Sequence, residues 1–184
     1  MTTTTIPGYL VGTWDIDPVH SDVSFSVRHM MMSKIKGRFS TFSGTVVTAE
    51  NPLESSVTAE IDMASIDTNN EQRDGHVKSS DFFDVENNPK MTYKSTSISG
   101  SGDSYTLEGD LTIKGVTKPV PLKLELGGFG VDSFGGTRGG FSATTEISRS
   151  DFGISFSMPL DGGGVVIGDK ITITLDIEAV LRTA

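Results

Sequence analysis

With 184 residues and a net charge of −9, the chain has the length for one domain with a sizeable core. Its charge opposes nucleic acid, which demands clustered Lys and Arg, and tight adsorption on an anionic membrane. The absence of cysteine removes disulfides, thiolate catalysis and cysteine-held metals.

The first residues, Met1 to Gly8, carry neither the basic nor the apolar stretch of a secretory leader, so a cytoplasmic protein is expected. No apolar run approaches the ~18 residues of a transmembrane helix. Residues 1–11 read as a flexible lead-in and 12–184 as a single domain. Period-two alternation then begins: Val23, Phe25 and Val27 point one way, and His29 shares their parity. Between Asp22 and Glu50 there is no acidic residue, while Arg28, Lys34, Lys36 and Arg38 all fall there. This local basic patch is either a solvated hairpin with protective edge lysines or a place where an anionic headgroup or membrane surface is met. Met30-Met31-Met32 marks a strand end, and its flexible thioethers suit either ordinary packing or an adaptable apolar contact.

Alternation recurs at Val57/Ala59/Ile61/Met63, Tyr105/Leu107/Leu111/Ile113, Val120/Leu122/Leu124/Leu126, Phe141/Ala143/Thr145/Ile147 and Ile171/Ile173/Leu175/Ile177/Ala179. Turn signals separate these runs at Asn51-Pro52, Asn87-Asn88-Pro89, Gly100 to Asp103, Gly127 to Gly130 and Asp161 to Gly164. Between residues 67 and 80 the alternation stops, and the spacing predicts a short helix near 69–80, capped by an Asn and docked over one barrel end through Phe82 and Phe83. The pattern is all-β, an antiparallel barrel of roughly eight strands. A two-sheet sandwich is the rival, and Gly37, Gly44 and Gly109 favour the barrel because sharp strand bends favour glycine.

The three histidines, His20, His29 and His76, lack the i, i+2 or i, i+4 spacing that presets metal ligands, so no metal and no cofactor are expected. Arg73-Asp74-x-His76 is the densest polar cluster: a helix brace, a headgroup site or acid–base equipment, with no nucleophile standing out beside it.

In their order, several segments resemble the YceI family of lipocalin-like polyisoprenoid-binding proteins. They are Trp14-x-Ile16-Asp17-x-x-His20-Ser21, Gly37-x-Phe39-x-x-Phe42-x-Gly44, Ile66 to Asn69, Arg73-Asp74-x-His76-Val77, Ser80 to Asp84, Gly109 to Val120, Arg149 to Gly153 and Gly168-Asp169-x-Ile171. The resemblance spans roughly residues 12–180. It implies a lipocalin-like barrel that encloses a long isoprenoid chain, often as a homodimer, and it supplies no catalytic residues. On this reading Phe25, Val27, Phe39, Phe42, Phe82, Phe83, Met30, Met31 and Met32 are candidates for the apolar lining. His20, His29, Arg73 and His76 are candidates for the headgroup.

The function expected is binding, storage or transport of a polyisoprenoid or similar apolar lipid without catalysis, with transient membrane contact. One alternative is an enzyme acting on a prenyl lipid through Arg73, Asp74 and His76. Another is an interaction protein with a filled core.

Overall fold

The structure is a computed structural model and describes residues 6–157 and 166–183. The turn expected at Asp161 to Gly164 lies outside them. Among the described residues, twelve strands follow in chain order: β1 (Gly12–Ile16), β2 (Asp22–His29), β3 (Ser33–Phe39), β4 (Phe42–Thr48), β5 (Ser56–Asp62), β6 (Ile66–Asp67), β7 (Lys90–Ser101), β8 (Ser104–Ile113), β9 (Val116–Pro119), β10 (Leu122–Val131), β11 (Thr137–Ser148) and β12 (Ile167–Leu181). Helix α1 (Glu71–Lys78) sits between β6 and β7.

The twelve segments make the eight staves of a closed antiparallel barrel. β1 and β2 follow one another along one edge of β12, with Trp14 opposite Leu181 and Phe25 opposite Ile173. β3 with β4, β5 with β6, and β9 with β10 share staves in the same way. β12, the longest strand, pairs β11 on its other edge and so closes the ring. Among the described residues, closure leaves no long free edge, which removes the template for chain-to-chain pairing.

The predicted alternation maps onto the interior wherever the ladder is regular, and two bulges change its phase. Register slips between Ser95 and Ser97, so Met91 and Tyr93 before the slip and Ile98 after it all face inward. A second slip, between Leu126 and Gly128, turns both Leu126 and Phe129 inward. The run Gly127 to Gly130 is therefore not the turn its glycines suggest but a bulged stretch of β10. Gly128 takes φ +125°, open to glycine alone, and Gly127 abuts the Gly140 backbone. Gly109 serves close approach instead of bending: the Tyr93 ring lies where a Cβ would stand, 2.4 Å away.

One end of the barrel is filled. β6 stops there and β7 starts there, so the connection containing α1 must cross that end. Phe39, Met63, Ile66, Phe82, Ile113, Ile147, Phe152 and Ile154 are buried together there. Asn70 caps α1 by accepting from the Arg73 N–H, and the His76 ring meets Phe82 and Phe156 edge-on at 5.1 and 5.3 Å. Arg149 is buried beside this plug, and its guanidinium donates to the carbonyls of Gly168, Ile154, Phe156 and Ile167. Burial pushes its pKa down. Among the described residues, no helix is long and apolar enough to cross a membrane.

Candidate functional site

Above the plug the barrel is hollow. The inward side chains Val46, Val57, Ile98, Leu124, Leu126, Phe141, Ile173, Leu175 and Ile177 are apolar yet only partly buried, because they face space instead of each other. In a filled barrel this parity would be the most buried set in the molecule. The cavity volume is about 210 Å³. One water needs only ~10–15 Å³ on the same measure, so the space admits a chain. From Tyr105 at the rim to Leu111 near the floor, the lining covers six residue steps of β8. That is about 20 Å along the strand, or ~15 Å along the axis at a tilt of ~40°.

The rim is built by segments far apart in the chain. Ile6 and Tyr9, ahead of β1, lie across it. The Tyr9 ring meets Phe129 edge-on at 5.6 Å, and its hydroxyl donates to the Ala49 carbonyl at 2.6 Å. Trp14, 0% exposed, sits beneath them against Phe129 and donates through Nε1 to Thr48 Oγ1 at 2.9 Å. Pro52 and Ser55, around the turn Pro52–Glu54, complete this side.

Among the described residues, no charged side chain lines the cavity, and the hydroxyls of Thr48 and Tyr93 are turned toward the protein. Thr48 donates to the Leu10 carbonyl at 2.7 Å, and Tyr93 donates to the Val120 carbonyl at 2.9 Å. Burial, reinforced by Glu108 and Asp110, pushes the Tyr93 phenol well above its ordinary value, so it stays a neutral donor. A guest meets hydrocarbon on nearly every side.

Of the lining candidates from sequence, Phe42 faces the cavity. Phe25 lies just below, its ring over Gly37 and 5.7 Å from Phe39. Phe39 and Phe82 belong to the plug, and Phe83 packs at its border. Val27 lies farther down β2 opposite Ile35 and Ile171, and Met30 to Met32 form the exposed tip of the β2–β3 hairpin. The headgroup candidates fall in three separate places. His20 is outside the barrel, its Nδ1 2.8 Å from Asp17 Oδ2. His29 ends β2 opposite Ser33. Arg73 donates to Thr68 Oγ1 and to the Thr68 carbonyl, while Asp74 accepts from the Thr68 N–H and hydroxyl. His76 Nε2 is 2.8 Å from Asp81 Oδ2. These last three brace α1 against the plug, away from the cavity.

A second polar network ties the rim loop to the wall. Arg138 reaches Asp17, Asp132 and Glu178 at 2.8, 2.8 and 2.9 Å. The hydrogen bond from Arg138, then that from His20, holds the Asp17 carboxyl far below its ordinary value. Among the described residues, no three potential metal ligands converge.

The comparisons agree with this geometry. The family model described as the YceI-like domain matches residues 14–179. Protein YceI of Escherichia coli O157:H7 is 41% identical over 141 residues, covering 76% of this chain and 74% of its own. The crystal structure of the YCEI protein of Campylobacter jejuni superimposes with a TM-score of 0.71 at 28% identity over 100% of both chains. A structure described as a polyisoprenoid binding domain from Saccharophagus degradans matches at TM-score 0.70 and 14% identity, over 94% of this chain and 100% of that one. The apolar hollow of an eight-stave barrel and the family match across nearly its whole length lead to one assignment: the chain belongs to the YceI-like family.

Proposed function

We propose that the barrel binds the tail of a long apolar lipid of the polyisoprenoid class, and does no chemistry on it. The observation that carries this reading is the row of partly buried apolar side chains around an open, uncharged hollow. The binding domain from Saccharophagus degradans supports it, since a barrel of the same fold is described there as binding this class of lipid. The Arg73, Asp74 and His76 side chains are committed to Thr68 and Asp81, which favours bracing over catalysis.

Magnitudes decide how much tail matters. An isoprene unit advances four chain bonds, about 4.6 Å if three extended bonds advance ~3.4 Å. A depth of ~15 Å therefore takes about three units. Each contributes roughly 3–4 kcal/mol at ~0.8 kcal/mol per buried carbon, about 10 in all. Association costs on the order of 4–15 kcal/mol, so binding sits near break-even until the hollow is full. Titrating lipid-stripped protein with prenols of one to five units tests this. Affinity should climb steeply to about three units and then flatten. Absence of uptake at every length, or equal affinity for one unit and three, would overturn the proposal.

A further inference from the structure

We propose that the β2–β3 hairpin is a docking tip for anionic lipid bilayers. It is at the plugged end, and the cavity does not use it. Its loop is Met30-Met31-Met32, with Met31 53% and Met32 78% exposed. Met30 and Met31 both adopt positive φ, at +51° and +60°. Hairpin loops normally give such positions to Asn or Gly, so three methionines there are a poor choice for the turn itself. They are a good choice for something the turn displays. Unbranched thioether chains adapt to an irregular apolar surface such as the boundary between headgroups and acyl chains.

Charge supplies the partner's identity. On the outward face behind the tip, Lys34, Lys36 and Arg38 alternate along β3, and Arg28 stands opposite Lys34. All four are exposed, and among the described residues none forms an ion pair. Ser24 and Ser26 separate them from Thr174 and Thr172 across the seam. Among the described residues, the acidic groups nearest the row stand at its far end: Asp67 is opposite Arg38, the cation farthest from the tip, and accepts from the Asn69 N–H, while Asp22, with Asp176 opposite it, lies two residues from Ser24, the partner of Arg38. The chain carries −9 overall, so the rest of the molecule is more acidic still. An anionic bilayer would attract this hairpin and repel the remainder, which orients the protein tip first. Nucleic acid fits less well. The outward hairpin residues include no aromatic ring for stacking, and an apolar tip gains nothing from a phosphate backbone.

The test is co-sedimentation of the full chain with vesicles of phosphatidylcholine alone or with a third phosphatidylserine, at ~0.15 M salt. Binding is expected on the mixed vesicles only. Each cation at the surface contributes about five-fold, so R28Q/K34Q should bind on the order of 25-fold more weakly. M31N/M32S keeps the turn, because Asn tolerates the left-handed conformation, and should bind several-fold more weakly. Both variants should melt with the wild type, which separates lost docking from lost folding. Equal binding to neutral vesicles would overturn the proposal. So would wild-type binding by either variant, or displacement of the vesicles by a short single-stranded DNA at the same salt. Prenol uptake by R28Q/K34Q is a separate readout, because docking does not rest on what the cavity holds.

Discussion

Filling the hollow from within distinguishes a tail-binding cavity from a packed core. Leu175 is the middle of the three β12 residues that line the cavity, partly buried, with the small Ala143 opposite it on β11. Leu175→Trp would put an indole across the lumen at mid-depth and exclude the lower half of a tail, about one and a half isoprene units. At 3–4 kcal/mol per unit the loss is about 5 kcal/mol, well over 100-fold in affinity for a prenol of three or more units. Stability should move the other way or not at all, since the ring enters empty space. In a close-packed interior the same insertion would cost about 1–3 kcal/mol, which lowers Tm by roughly 2–4 °C per kcal/mol in a chain of this size. Calorimetric titration with a prenol series, beside a thermal melt of stripped protein, reads both quantities. Undiminished affinity together with a Tm lowered by several degrees would refute the hollow-barrel reasoning.

Arg149→Met should destabilise the fold by about 3–5 kcal/mol in denaturant unfolding, because it strands the carbonyls that the guanidinium now satisfies. Arg149→Lys should recover little, since one ammonium cannot span that fan of acceptors. Gly109→Ala places a methyl 2.4 Å from the Tyr93 ring and 2.8 Å from the Lys94 carbonyl. The expected cost is about 2–3 kcal/mol, read by denaturant melts, with Tyr93 pulled off the Val120 carbonyl. Asp17 and Asp132 are held below their ordinary 3.8, chiefly by Arg138, so their folded pKa values lie under the unfolded ones. Stability from such a pair is present above the unfolded value and lost as pH falls through the folded one. The gap in Tm between wild type and Arg138→Gln should therefore be full at neutral pH and shrink between about pH 4 and pH 2. A constant gap would show that Arg138 acts through packing alone.

The barrel was legible because its signal is local and repeated. In Ile171/Ile173/Leu175/Ile177/Ala179 each apolar residue states its own face, and the inward rows of β5, β8, β10 and β11 do the same. The helix was legible from the loss of that rhythm, an Asn cap and a following Phe82-Phe83. Phase changes were not. The alternation of β7 breaks at Ser95 to Ser97, where one extra residue carries Ile98 to the inner face. The glycines of β10 look like a turn until Gly140 is known to run beside them.

The site was harder to read for a different reason. Residue type draws attention to His20, Arg73 and His76, but where such groups meet is set by contacts remote in sequence. Tyr9 and Phe129 meet across the rim although most of the chain separates them, and nothing near either one announces the other. The leucines and isoleucines that face the hollow were visible as inward rows. Whether an inward row meets its opposite or faces a void depends on barrel closure and stave number, which alternation does not encode.

The most direct test of the central claim is native mass spectrometry of protein purified from cells without detergent, followed by solvent extraction of whatever it carries. A hollow apolar barrel predicts a bound species that leaves on mild activation, partitions into organic solvent and shows the five-carbon mass spacing of an isoprenoid chain. Protein that emerges empty from every gentle preparation, or that carries only a water-soluble guest, would contradict the account.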